Sequence, residues 1–132
     1  MGGYDLIVWT LFVAEIAMME ASMFHQIVPN RNPKIDEHVF LQIIRVTVYL
    51  IIFGITTNAL VYLIPVGLMF PFIHDGVYYV MRNKFDSRIY PDRWKADSIT
   101  TDARFNFSYK KRTAMFFVGA ILLSVILFFQ NI

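Results

Sequence analysis

Six ionisable side chains interrupt stretches of this sequence that are otherwise apolar: Glu15, Glu20, His25, Arg45, His74 and Asp75. Imidazoles and carboxylates together support two kinds of chemistry. They ligate a divalent transition metal such as zinc, iron or manganese, which takes nitrogen and oxygen donors readily. A carboxylate held at mid-membrane can also alternate between a proton and a cationic substrate, which is the chemistry of coupled transport. Arg45 cannot be a ligand, since its guanidinium is always charged and only donates, so it reads as a counter-charge or an anion binder. The sequence holds no cysteine, which excludes thiolate metal sites, thiol nucleophiles and disulfides. It also lacks the H-x-x-x-H and H-E-x-x-H spacings of helical metal sites, and His74-Asp75 is only a dipeptide.

The elements that carry these residues follow from hydropathy. Of the 132 residues 57% are hydrophobic and 17% charged, against about 25% charged in a soluble domain. A bilayer core of about 30 Å needs roughly 20 mostly apolar residues in a helix. The first such window runs from about 6 to 28 and is closed by Pro29-Asn30. The next apolar stretch, 39–81, would be about 65 Å long as a single helix, two membrane thicknesses, so it must fold back once. The polar run Gly54-Ile55-Thr56-Thr57-Asn58 is the preferred turn, with Pro65-Val66-Gly67 as its competitor. That leaves helices at about 39–55 and 59–81, the latter kinked by Pro65 and Pro71. The last window, 113–130, carries no charge. The expected fold is an all-α integral membrane protein, a single domain of four transmembrane helices with a cytoplasmic loop over 82–112.

Charge placement orients the bundle. Nine of the twelve Lys and Arg residues lie in 82–112, two more, Arg31 and Lys34, lie in 29–38, and Arg45 is the twelfth. The positive-inside bias therefore predicts that both loops are cytoplasmic and both termini outside. The first window lacks a basic leader and carries two glutamates, so it reads as a retained span and not as a signal peptide.

In that frame five of the six ionisable residues converge. Glu20 lies roughly 12 Å below the cytoplasmic face, His25 about one turn below it, Arg45 about 9 Å, and His74 with Asp75 about 10 Å. Glu15 alone sits near mid-membrane. His25, His74, Asp75 and Glu20 are thus the candidate metal ligands, and Arg45 and Tyr78 complete the polar site. His74 stacks over Tyr78 one turn away, whereas Glu20 is about 140° round the helix from Glu15, so the first helix must show polar groups to more than one neighbour. The bland reading of the same residues is a structural network in which Glu20 or Asp75 pairs with Arg45, since an intramembrane charge is costly alone.

Tyr4 and the run Leu11-Phe12-Val13-Ala14-Glu15-Ile16 resemble the first helix of the small multidrug-resistance transporters, which are four-helix proteins of similar length. The resemblance implies proton- or cation-coupled transport centred on Glu15. It covers the first helix only, and the chain departs from that family in its long 82–112 loop and in Pro65 and Pro71. A third reading makes the helices an anchor for that loop. Its basic and aromatic residues, among them Arg82, Lys84, Phe85, Arg88, Tyr90, Arg93, Trp94 and Lys95, suit anionic lipid headgroups. Asp97-Ser98 and Thr100-Thr101 offer helix caps, and the loop is expected to fold over the polar cluster. Lys110-Lys111-Arg112 reads as the ordinary stop at a membrane face. Gly119, Ala120 and Ser124 suit a helix interface, including one between copies. There is no glycine-rich phosphate loop, no serine nucleophile motif and no support for nucleic-acid binding.

Overall fold

The computed structural model describes residues 3–27, 37–54, 57–97 and 107–130; the side chains of 24–27, 37–40, 42 and 57–59 lie outside that description. Four α-helices account for most of it: α1 Gly3–Ile27, α2 Glu37–Phe53, α3 Thr57–Phe85 and α4 Tyr109–Gln130, with one 3-10 turn at Arg93–Lys95. No strand occurs among the described residues. Tyr4–Met23, Leu60–Phe85 and Tyr109–Gln130 are each long and apolar enough to cross a membrane, while the apolar part of α2, Ile43–Phe53, is shorter.

Local chemistry sets the boundaries. α2 stops at Gly54, whose φ of 74° gives the left-handed residue that commonly ends a helix. The fold-back therefore starts where the polar run places it, and residues 55–56 lie outside the described ones. The competing turn at 65–67 is not used, since Pro65 and Pro71 both lie inside α3. Each proline removes one backbone hydrogen bond from the ladder. α3 continues through Phe85 where hydropathy stops it at Met81, and α4 begins at Tyr109 where hydropathy starts it at 113. Arginine and lysine are good helix formers, so the helices outlast their apolar windows and the connection shrinks from 82–112 to 86–108.

α3 is the spine, packing against α1, α4 and the 3-10 turn, while α2 packs on α1. α1 buries Trp9, Val13, Ile16, Ala17, Glu20 and Ala21, a single stripe at helical spacing. Toward the chain termini this stripe meets Tyr49, Tyr62, Val66 and Leu123 in one apolar cluster, where the edge of the Trp9 ring meets Tyr49 at 5.4 Å. Toward the loops Ala17 and Ala21 pack with Tyr78, Tyr79, Tyr90 and Ala96. The two alanines leave room for tyrosine rings, so α1 and α3 can lie close side by side.

α4 runs antiparallel to α3. Tyr62 hydrogen-bonds Gln130 at one end and Phe72 packs on Phe116 at 4.8 Å nearer the other. Gly119 faces this contact and serves packing inside the chain. A Cβ there would lie 2.6 Å from the Pro65 carbonyl oxygen and 2.8 Å from Met69 Cγ. Gly119→Ala should therefore destabilise the fold by about 1–3 kcal/mol. Gly67→Ala, with nothing within 4 Å of the added methyl, should be neutral or slightly stabilising. Thermal unfolding of both variants in detergent checks this, and equal effects would contradict the packing described.

Candidate functional site

Every helix contributes a charge to one buried cluster. Glu20 comes from α1, Arg45 from α2, His74 and Asp75 from α3, and Arg112 from α4. Glu20, Arg45, His74 and Arg112 are all buried, Arg112 completely, at 0% exposure. Arg45 Nη2 donates to Glu20 Oε1 and lies 2.9 Å from His74 Nε2. The same ring nitrogen lies 3.1 Å from Glu20 Oε2, while Nδ1 lies 3.0 Å from Asp75 Oδ1. Arg112 Nε is 3.9 Å from Asp75 Oδ2, an ion pair at longer range. His74 thus stands between two pairs, Glu20 with Arg45 and Asp75 with Arg112.

A ladder of rings on α3 holds the imidazole in place. Phe70 stacks on one face of His74 at 4.9 Å and Tyr78 stands over the other at 6.4 Å, one helical turn to either side. Phe70 also carries the Arg45 guanidinium 4.9 Å from its ring centre, so it positions both partners. Two proton arrangements fit these contacts. With a neutral ring, Nδ1–H donates to Asp75 and Nε2 accepts from Arg45. With a charged ring, both nitrogens donate, Nε2 turning to Glu20 and becoming a rival of Arg45 for that carboxylate. One proton therefore changes which partner Glu20 satisfies.

The segment after α3 covers this cluster from the loop end. Asp86 Oδ1 accepts from the backbone N–H groups of Arg88 and Ile89, turning the chain back. Tyr90 is then pinned to the end of α3, where Arg82 donates to its hydroxyl at 2.8 Å and Asn83 to its carbonyl at 2.6 Å. Arg93 takes a left-handed φ of 47°, a position that costs a non-glycine residue about 1–2 kcal/mol. Its Nε donates to Asn83 Oδ1 at 3.0 Å, which holds it there. Trp94 lies flat over Gly76, where any Cβ would come within 2.2 Å of the indole, and its ring edge meets Phe72 at 5.5 Å. Arg112 Nη2 donates to the carbonyls of Ala96 and Trp94, at 2.7 and 3.3 Å. Asp97 Oδ1 accepts from the Tyr109 N–H at 2.6 Å and so caps α4.

Of the residues expected from sequence, Glu20, Arg45, His74, Asp75 and Tyr78 come together. The side chain of His25 and residues 29–36 of the expected 29–38 loop lie outside the described residues, while Glu37 and His38 already belong to α2. Glu15 is exposed on the outer side of α1 and does not join the cluster. Among the described residues no three of His, Asp and Glu converge as a ligand set. The residue that sequence reasoning missed is Arg112, taken there for part of a membrane stop. Its signal was present: Arg112, Phe116, Gly119 and Leu123 follow a 4-3-4 spacing, which puts Arg112 on the inward stripe of α4 while Lys110 and Lys111 fall off it. Comparison with protein-family models, curated proteins and solved structures gives no match.

Two measurements follow from this geometry. Glu20→Ala leaves Arg45 buried without its carboxylate and should cost about 3–5 kcal/mol. Glu20→Ala with Arg45→Ala should cost clearly less than the sum of the two single changes, whereas additive losses would deny the pairing. Gly76→Ala should expel Trp94. In a Trp9→Phe background, which leaves Trp94 as the sole tryptophan, a red shift and greater quenching by iodide would report it, and an unchanged spectrum would refute the contact.

Proposed function

We propose that this chain is a four-span membrane protein whose buried carboxylate–imidazole–carboxylate site, close to the cytoplasmic face, exchanges protons in the course of coupled transport. The apolar lengths of α1, α3 and α4 support the membrane reading. α2, at 17 residues, is about 26 Å long, short of a full bilayer core. Modest local thinning accommodates such a mismatch, and the pairing of Arg45 with Glu20 makes its charge tolerable within the span. The concentration of Lys and Arg in 29–38 and 82–112 supports termini outside and loops in the cytoplasm.

The observation that carries the reading is His74, which meets a carboxylate at each ring nitrogen. Such a ring accepts a proton at one nitrogen and gives it up at the other, and Glu20 and Asp75 are the groups that supply and receive it. Asp75 is the most accessible member, its side chain 27% exposed, so it is the group through which protons enter the site. Binding of zinc, iron or manganese by Glu20, His74 and Asp75, with His25, is the competing use of the same groups. The position of Arg45 favours the proton: its guanidinium lies against both Glu20 and His74 Nε2, where a cation shared by those two ligands would have to sit.

The test is proton flux into liposomes carrying an internal pH dye, driven by an imposed membrane potential. Wild type should exceed protein-free vesicles, and His74→Gln should reduce the rate by about 10²-fold or more, as expected when a positioned proton carrier is lost. Flux equal to that of empty vesicles would remove the transport reading. Elemental analysis of the same untagged preparation decides the competitor, because near-stoichiometric metal lost in His74→Gln would establish a metal centre instead.

A further inference from the structure

The outer side of α1 carries a seam that the other described residues leave largely uncovered. Tyr4, Val8, Leu11, Glu15, Met18 and Ser22 follow a 4-3-4-3-4 spacing, the spacing at which one helix lays a continuous face against another. Tyr4, Val8 and Leu11 are 83%, 50% and 59% exposed, Met18 is 38% exposed, and Glu15 is exposed at the centre of the seam. Glu15 is also the midpoint of α1, Gly3–Ile27, about 18 Å from either end. That is too far for a glutamate side chain to reach an interface. On the membrane reading proposed above, this is a carboxylate facing lipid at mid-depth, a costly arrangement that asks for a partner.

Charge decides what that partner is. The exposed basic residues among those described are Lys84, Arg88, Arg93, Lys95, Lys110 and Lys111, all at the loop end of the bundle. Arg45 and Arg112 are buried in the internal cluster. A second copy of the chain therefore offers Glu15 no described cation at its own depth. A symmetric pairing through this seam would oppose one Glu15 to another.

From this we infer that the α1 seam docks a transmembrane helix of a different protein, one carrying a lysine or arginine near its midpoint, with Glu15 as the counter-charge. Tyr4, Val8, Leu11 and Met18 supply the packing on either side of the pair. In lipid, where apolar surfaces gain little by meeting each other, such a polar pair selects the partner. The inference rests on the membrane reading and is independent of the proton chemistry at His74.

The experiment uses the full chain, labelled with a donor fluorophore at one cysteine introduced near the C-terminus and reconstituted into vesicles. The probe is an acceptor-labelled synthetic leucine–alanine transmembrane helix with a single lysine at its midpoint; the same helix with leucine there is the control. The lysine helix should associate about tenfold more tightly than the control, and Glu15→Gln should abolish that difference. Equal association of the two helices, or a difference unchanged by Glu15→Gln, overturns the inference. Energy transfer between labelled copies of the chain itself, lost in Glu15→Gln, also overturns it, because the occupant is then a second copy. Release of the protein from vesicles by alkaline carbonate overturns the membrane reading and this inference with it, whereas a retained protein that ignores the lysine refutes this inference alone.

Discussion

A charge removed from water must find its complement within a few ångströms, and this requirement organises the molecule. Each helix brings one or two ionisable groups to a single level of the bundle, and no group there is matched within its own helix alone. Glu20 needs Arg45 from α2, and Asp75 needs Arg112 from α4. His74 joins the two pairs into one network. The network fixes the relative height of all four helices, because sliding any of them by a turn would strand a charge. Apolar packing alone has no such register, since one leucine substitutes for the next a turn away.

The packing then follows from where the network needs α3 to be. α3 must approach α1 closely enough for His74 to reach Glu20, and Ala17 and Ala21 on α1 make that approach possible against Tyr78 and Tyr79. It must approach α4 closely enough for Asp75 to face Arg112, and Gly119 lying on the Pro65 carbonyl and Met69 permits it. Small residues thus occur at contacts that flank the charged level. The cap from Asp86 to Asp97 completes the arrangement by giving Arg112 two carbonyls to bond, so that its guanidinium is held from the loop side as well as from Asp75. The rings of Tyr79 and Tyr109 lie within 6 Å of that guanidinium and cover it further.

Much of this was legible in the sequence, and the reasons for what was not are physical. Hydropathy and the glycine at position 54 locate four helices and the fold-back, because apolar length and a left-handed turn are local properties. The grouping of Glu20, Arg45, His74 and Asp75 was legible as well, since depth along a helix follows from residue count. Helix ends were misplaced at Met81 and 113 because hydropathy measures apolar length, while Arg82, Lys84, Lys110 and Lys111 extend helices without being apolar. Arg112 was misread for a related reason: its neighbours in sequence are solvent-facing lysines, and only the three-dimensional stripe separates it from them. The seat of Trp94 on Gly76 was not legible at all, because it joins residues whose meeting depends on how the chain turns at Asp86 and Tyr90.

The ring ladder on α3 has a consequence for direction. Between Phe70 on one face and Tyr78 over the other, the His74 imidazole is oriented by its polar partners, Nε2 by Glu20 and Arg45 and Nδ1 by Asp75. Its two nitrogens thus have different addresses: Nε2 faces α1 and α2, and Nδ1 faces Asp75 and, through it, α4 and the cap. In a freely tumbling imidazole the two tautomers are interchangeable and carry no sense of side. In one oriented by its partners they are not: the neutral ring keeps its proton on Nδ1 toward Asp75 and the charged ring adds one on Nε2 toward Glu20, so that taking up a proton is itself a displacement of charge toward the α1 side of the bundle.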